Sequence, residues 1–138
     1  MSAGSVKTRP VPKATLTTKP FWDAVNQGRL LLQYDVGAGC YQFWPRSTGA
    51  KSGSPNLQWR EASGKGKLYS FTVTHVAVEG FEDRAPYVIG LVELDEGVRI
   101  VANLAGVTPD EVRIGMALRV TFENMPDGSK YYAFEPDR

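Results

Sequence analysis

The chain has 138 residues, 42% hydrophobic and 22% charged, the balance of one globular domain with room for a small appendage. Its 16 Lys and Arg against 15 Asp and Glu leave a net charge of +1, without the clustered basic excess that phosphate neutralisation demands, so a nucleic-acid partner is not expected. No apolar run is long enough to span a membrane, no hydrophobic signal core opens the chain and one cysteine allows no internal disulfide, so the expectation is a cytoplasmic protein with no membrane partner.

Residues 1–17 are rich in Ser, Thr, Pro and Lys and read as a flexible tail. The segment TKPFWDAVNQGR then predicts a short helix, with Thr18 as its cap, Pro20 in its first turn and Gly28 just past its end. Phe21, Trp22, Val25 and the following Leu30 give it an apolar face that must dock on something. Residues 30–34 read as a strand and residues 41–44 as its hairpin partner. Gly37, Gly39, Pro45, Gly49, Gly53 and Pro55 make the surrounding zone rich in loops. Residues 57–60 begin another extended piece, and SGKGK at 63–67 predicts a turn.

From residue 68 the pattern is all-β. Residues 68–78 alternate, with Phe71, Val73 and His75 on one side and Ser70, Thr72 and Thr74 on the other. Further strands are predicted at 87–94, 98–104, 117–124 and 131–134, with hairpin turns at LDEG (94–97) and PDG (126–128). TPDEVRIG (108–115) predicts one helical turn, capped by Thr108 with Pro109 at its first position. Five strands with a helical element between the third and fourth predict a mainly β fold, an OB-type Greek-key barrel over 63–138, preceded by a helix and hairpin segment over 18–62.

Several short segments occur in one order: TKPFWDAV, LLQ, GCYQFWPR, GSPNLQWREASGKG, YSFTVTHV, APYVIGLVELDEGVR, NLAGV and VRIGM. Together they resemble the OB-fold and zinc-ribbon acyl-CoA-associated family (domain of unknown function thirty-five), over nearly everything after residue 10. The resemblance implies that residues 33–57 are a rubredoxin-like zinc-ribbon hairpin, in which two CxxC knuckles flank an aromatic-Pro-Arg turn. The matching positions here are Asp35, Ala38, Gly49 and Ser52. A structural zinc takes four thiolate or imidazole ligands, and this set has none, so the expectation is a degenerate ribbon with no zinc. Structural zinc in small fingers brings roughly 10–16 kcal/mol of apparent binding free energy. Tyr34, Tyr41, Phe43 and Trp44 would return about 1.5–3 kcal/mol each if buried. They are therefore expected to pack on the helix, the barrel or a partner, and loop 49–53 is expected to be the least ordered part of the ribbon.

Chemistry-bearing motifs are sparse. Cys40 has no base near it in sequence and reads as an inert thiol, and His75, the only histidine, reads first as a structural strand residue. The loop 78–87 is the most prominent candidate surface, since Phe81 stands in a polar setting with Arg84 and His75 nearby, and loops of this kind help line the binding face of an OB barrel. The resemblance implies a non-catalytic accessory subunit, docked on a thiolase-superfamily enzyme in a hetero-oligomer and helping to bind or channel an acyl-CoA. A coenzyme A thioester would then be the ligand, with no tightly bound cofactor. Arg46, Arg60, Lys65, Lys67 and Arg84 would offer cations to its phosphates beside His75 and Phe81, although each taken singly reads as an ordinary surface residue. Two other readings stand. One is a single-stranded nucleic-acid-binding OB domain that stacks bases on Tyr69, Phe71 and Tyr87. The other is a self-sufficient enzyme using His75 with Asp83 or Glu82.

Overall fold

A computed structural model describes residues 13–75 and 86–137. Helix α1 (Lys19–Asn26) carries Pro20 in its first turn, where a missing N–H leaves no bond unmade, and buries Phe21, Trp22, Ala24 and Val25. Thr18 does not cap it with its side chain. Its hydroxyl instead accepts the Thr15 N–H at 2.8 Å, which folds the approach to the helix into a turn. Gly28 ends the helix at φ +74, with its N–H on the Val25 carbonyl at 2.9 Å.

The hairpin forms as β1 (Leu31–Asp35) and β2 (Cys40–Gln42), antiparallel, with Tyr34 opposite Tyr41. β2 ends before the expected Phe43 and Trp44 because those two rings leave the ladder to pack on α1, their centroids 5.6 and 5.3 Å from Phe21. β3 (Leu57–Glu61) pairs with the other edge of β1, giving the order β2-β1-β3.

The turn predicted at 63–67 is largely a strand. Only Gly64, at φ +76, turns the chain, and β4 (Lys65–Thr74) begins at once. Gly66 is there for close approach: a Cβ on it would lie 2.3 Å from the Glu93 carbonyl oxygen. The predicted extension of β4 through residues 76–78 lies outside the described residues. The remaining strands are β5 (Tyr87–Leu94), β6 (Arg99–Asn103), β7 (Ala117–Asn124) and β8 (Lys130–Pro136). Residues 108–115 form a turn rather than a helix, closed by the Glu111 N–H on the Thr108 carbonyl at 3.0 Å. Thr108 donates from both its N–H and its hydroxyl to the Glu111 carboxylate, at 2.9 and 3.0 Å.

The five strands run β6-β5-β4-β7-β8, all neighbours antiparallel. The sheet nearly closes where Leu104 bridges Phe134 and the Ala105 N–H reaches the Phe134 carbonyl at 2.7 Å, the OB-type barrel the pattern predicts. Inside it Leu68, Val92, Ile100, Leu118 and Phe134 are buried, and Phe21, Val25 and Leu32 extend the same core under the helix and ribbon. One core thus crosses the boundary expected at residue 62. No helix among the described residues is long and apolar enough to cross a membrane.

Candidate functional site

Where helix, ribbon and barrel meet, six aromatic rings form a seam. Phe21 touches Trp22, Phe43, Trp44 and Tyr132 at centroid separations of 5.0, 5.6, 5.3 and 5.7 Å, and Trp22 reaches Tyr131 at 5.3 Å. Edge-to-face and tilted pairs of this kind add to plain burial. Tyr132 is buried, and that burial, with Tyr131 beside it, pushes its phenol far above the usual range. Its hydroxyl donates to the Val101 carbonyl at 2.9 Å, which ties β8 to β6. Trp44 sits at the rim of the seam and remains 40% exposed. As expected, Phe43 and Trp44 pack on the helix. Tyr34 and Tyr41 instead pair with each other at 5.0 Å, and the Arg60 guanidinium lies 3.6 Å over the Tyr34 ring.

Polar side chains fill the opposite face of the ribbon. Gln33 and Gln42, partners in register, are both buried. The Gln42 amide donates to Gln33 Oε1 at 2.8 Å, Gln33 donates to the Arg46 carbonyl at 2.8 Å, and Gln42 Oε1 accepts the Ala50 N–H at 2.8 Å. Two residues along β1, Asp35 is 1% exposed. Its Oδ1 accepts the N–H groups of Gly37 at 3.1 Å and Ala38 at 3.2 Å, and its Oδ2 the Ser52 N–H at 3.4 Å. The Ser52 hydroxyl lies 2.8 and 2.9 Å from the two oxygens. That hydroxyl bond is the main reason the Asp35 carboxyl sits below its ordinary range. Burial opposes the shift, and the N–H bonds from Ala38, Ser52 and Gly37 reinforce it. Loop 49–53, expected to be loose, is therefore fastened by Asp35, by Gln42 through Ala50, and by its own bond from the Gly53 N–H to the Gly49 carbonyl at 2.9 Å.

The four positions that the resemblance assigns to ribbon ligands thus meet at the carboxylate of one of them, Asp35, and their side chains offer no thiolate or imidazole. Ala38 brings only an N–H, Gly49 only space, and the Ser52 hydroxyl is engaged with Asp35. Among the described residues no group of three or more His, Cys, Asp or Glu is arranged to hold a metal ion. The sequence did carry a signal for Asp35, the Asp-x-Gly pattern of an Asx turn over Asp35–Gly37, but not for Ser52 as its partner.

Those of the residues expected to face a coenzyme A that are described lie on the ribbon and along β4. Arg46 and Arg60 are exposed on the ribbon, Arg60 bonded to Gln58 at 2.8 Å. Lys65 and Lys67 are exposed at the start of β4, Lys65 3.8 Å from Asp137. His75 is exposed at the other end of that strand, about 26 Å along the contour from Lys67. Phe81 and Arg84, like Glu82 and Asp83, lie outside the described residues. At the His75 end, a cavity of about 460 Å³ opens between Pro86–Val88 and Asn103–Val107. On the outer sheet face a shallow groove of about 190 Å³ runs along Ser70, Thr72, Ile89, Leu91 and Val101. Of the aromatics that would stack bases, Tyr69 has one ring face covered by the Arg99 guanidinium at 3.7 Å, Phe71 stands opposite Gly90, and Tyr87 is half-buried.

Residues 59–123 match the family described as ChsH2, C-terminal OB-fold domain. The chain is 38% identical over 127 residues to the 3-oxo-4,17-pregnadiene-20-carboxyl-CoA hydratase alpha subunit of Mycobacterium tuberculosis, covering 91% of this chain and 40% of that protein. It is 43% identical over 77 residues to a DUF35 domain-containing scaffold protein of Methanocaldococcus jannaschii, covering 53% of this chain and 55% of that one. The chain therefore spans about half or less of the length of these relatives. Among solved structures, a chain of the Ltp2-ChsH2(DUF35) aldolase superposes with a TM-score of 0.83 at 30% identity, over 91% of this chain and 98% of that one. With a match at 30% identity along 98% of that DUF35 chain, the chain belongs to the DUF35 family.

Proposed function

We propose that this chain is a non-catalytic accessory subunit that docks on an acyl-CoA-processing enzyme of the thiolase superfamily and helps hold or channel the acyl-CoA. The observation that carries the reading is the match along 98% of a DUF35 chain from the Ltp2-ChsH2(DUF35) aldolase, whose name joins two components in one enzyme. Relatives named as a hydratase alpha subunit and as a scaffold protein support an assembling role. Trp44 supports it physically: a large ring held on one side by a buried aromatic seam and open on the other is the kind of residue that anchors interfaces. In this reading the ribbon and Trp44 meet the enzyme, and the barrel end with His75 and the cavity beside Asn103–Val107 faces the acyl-CoA. Arg46 and Arg60 stand on the ribbon and Lys65 and Lys67 at the start of β4, and in this reading coenzyme A contacts are shared with the enzyme.

Affinity purification from the native host tests this. A co-purifying thiolase-fold enzyme is the expected result. Recovery of the chain alone, with acyl-CoA turnover by the isolated protein that is lost in His75→Ala, would overturn it.

A further inference from the structure

We propose that the Asp35 carboxylate is the cross-link of the ribbon, standing where the four-ligand pattern of the hairpin would otherwise be closed by a metal. Four donor protons converge on it: the N–H groups of Gly37 and Ala38 from the turn after β1, and the N–H and O–H of Ser52 from the distant loop. A carboxylate offers about four lone-pair sites, so this set satisfies it without a cation. Gly49 is the fourth member, because a Cβ there would lie 2.1 Å from Asp35 Oδ2 and 2.5 Å from Ser52 Oγ. Each of the four positions thus has a distinct job around one anion: acceptor, turn donor, space and loop donor. The charge logic of a zinc ribbon is inverted, with neutral donors holding an anion in place of thiolates holding a cation.

Two consequences separate this from an incidental buried aspartate. The ribbon is independent of metal supply, and its four positions keep the convergence that a tetrahedral site needs. No docking partner is needed to measure it, and the 138-residue chain is used alone.

Metal content, thermal melting with and without chelator, and amide hydrogen exchange are measured on the wild type, on Asp35→Asn and on Gly49→Ala. The wild type is expected to hold well under one zinc per chain and to melt at the same temperature in chelator. In Asp35→Asn the side-chain oxygen can still accept from Gly37 and Ala38 while the NH₂ faces the Ser52 N–H, so exchange at Ser52 is expected to rise at least about tenfold, with the barrel strands unchanged. Gly49→Ala, whose Cβ would crowd Asp35 Oδ2 and Ser52 Oγ, is expected to speed exchange at Ser52 as well. In the combined variant D35C/A38C/G49C/S52C, added cobalt(II) is expected to give tetrahedral thiolate absorption displaced by about one equivalent of zinc. Stoichiometric zinc in the wild type, or unchanged exchange at Ser52 in Asp35→Asn, would overturn the proposal. A fourfold variant that folds and binds no cobalt would overturn the retained convergence. If that variant fails to fold, the exchange data on the single variants still decide.

Discussion

The Phe21 and Trp44 rings lie 5.3 Å apart at an interplanar angle of 59°, and they join the helix to the ribbon across 23 residues of chain. Phe21 is fully buried while Trp44 stays 40% exposed, so one contact serves two ends: its inner ring holds the core and its outer ring is presented to the surface.

That asymmetry separates stability from docking. Phe21→Ala removes a ring that four others touch and is expected to cost about 3–5 kcal/mol in urea unfolding. Trp44→Ala is expected to cost less, roughly 1–2 kcal/mol, yet to reduce recovery of the partner enzyme in pull-downs at least about tenfold. Equal recovery with Trp44→Ala would move the docking surface elsewhere on the chain.

Asp35 predicts a pH dependence of definite sign. Its carboxyl is held below the ordinary value of 3.8 in the folded chain, so it contributes stability that is present above that value and lost as pH falls through the lower, folded one. All its hydrogen-bond donors, Gly37, Ala38 and Ser52, are uncharged, so none of them titrates in this window. Asp127, bonded by Ser129, and Glu135, bonded by Arg119, shift the same way, so the readout is the difference between wild type and Asp35→Asn. The gap between their melting temperatures should be constant near neutrality and shrink below about pH 4. A gap that does not change with pH would detach the ribbon from the ionised carboxylate.

Gly66 should tolerate no side chain. Its Cβ position is met by backbone, the Glu93 carbonyl oxygen at 2.3 Å, which cannot swing aside as a side chain would. Gly66→Ala is expected to destabilise the chain by about 1–3 kcal/mol, by prising β4 from β5. Gly97→Ala makes a useful comparison, since nothing lies within 4 Å of its Cβ position and its cost comes from its φ of +90 instead. Chemical denaturation of the two variants reads the difference, and amide exchange along β4 should quicken only in Gly66→Ala.

Single-stranded nucleic acid should not bind tightly. Arg99 occupies one face of Tyr69 and the net charge is +1, so stacking and phosphate neutralisation are both weak. Fluorescence anisotropy with mixed-sequence oligonucleotides is expected to give affinities weaker than ~1 µM even at low salt. Tighter, salt-sensitive binding would favour the other OB reading.

The sequence by itself determined what is local. β5 and β7 run over the residues that alternation marks, 87–94 and 117–124, because burying one face of a strand needs only a period of two. Pro20 and Gly28 likewise set the helix ends through their own backbone limits. The tertiary structure decided what depends on distant neighbours. It took Phe43 and Trp44 out of β2 toward Phe21 and made strand of the glycine-rich 65–67. Above all it brought Ser52 to Asp35 across 17 positions. A buried carboxylate must find its donors wherever the fold supplies them, and no local pattern specifies which ones those are.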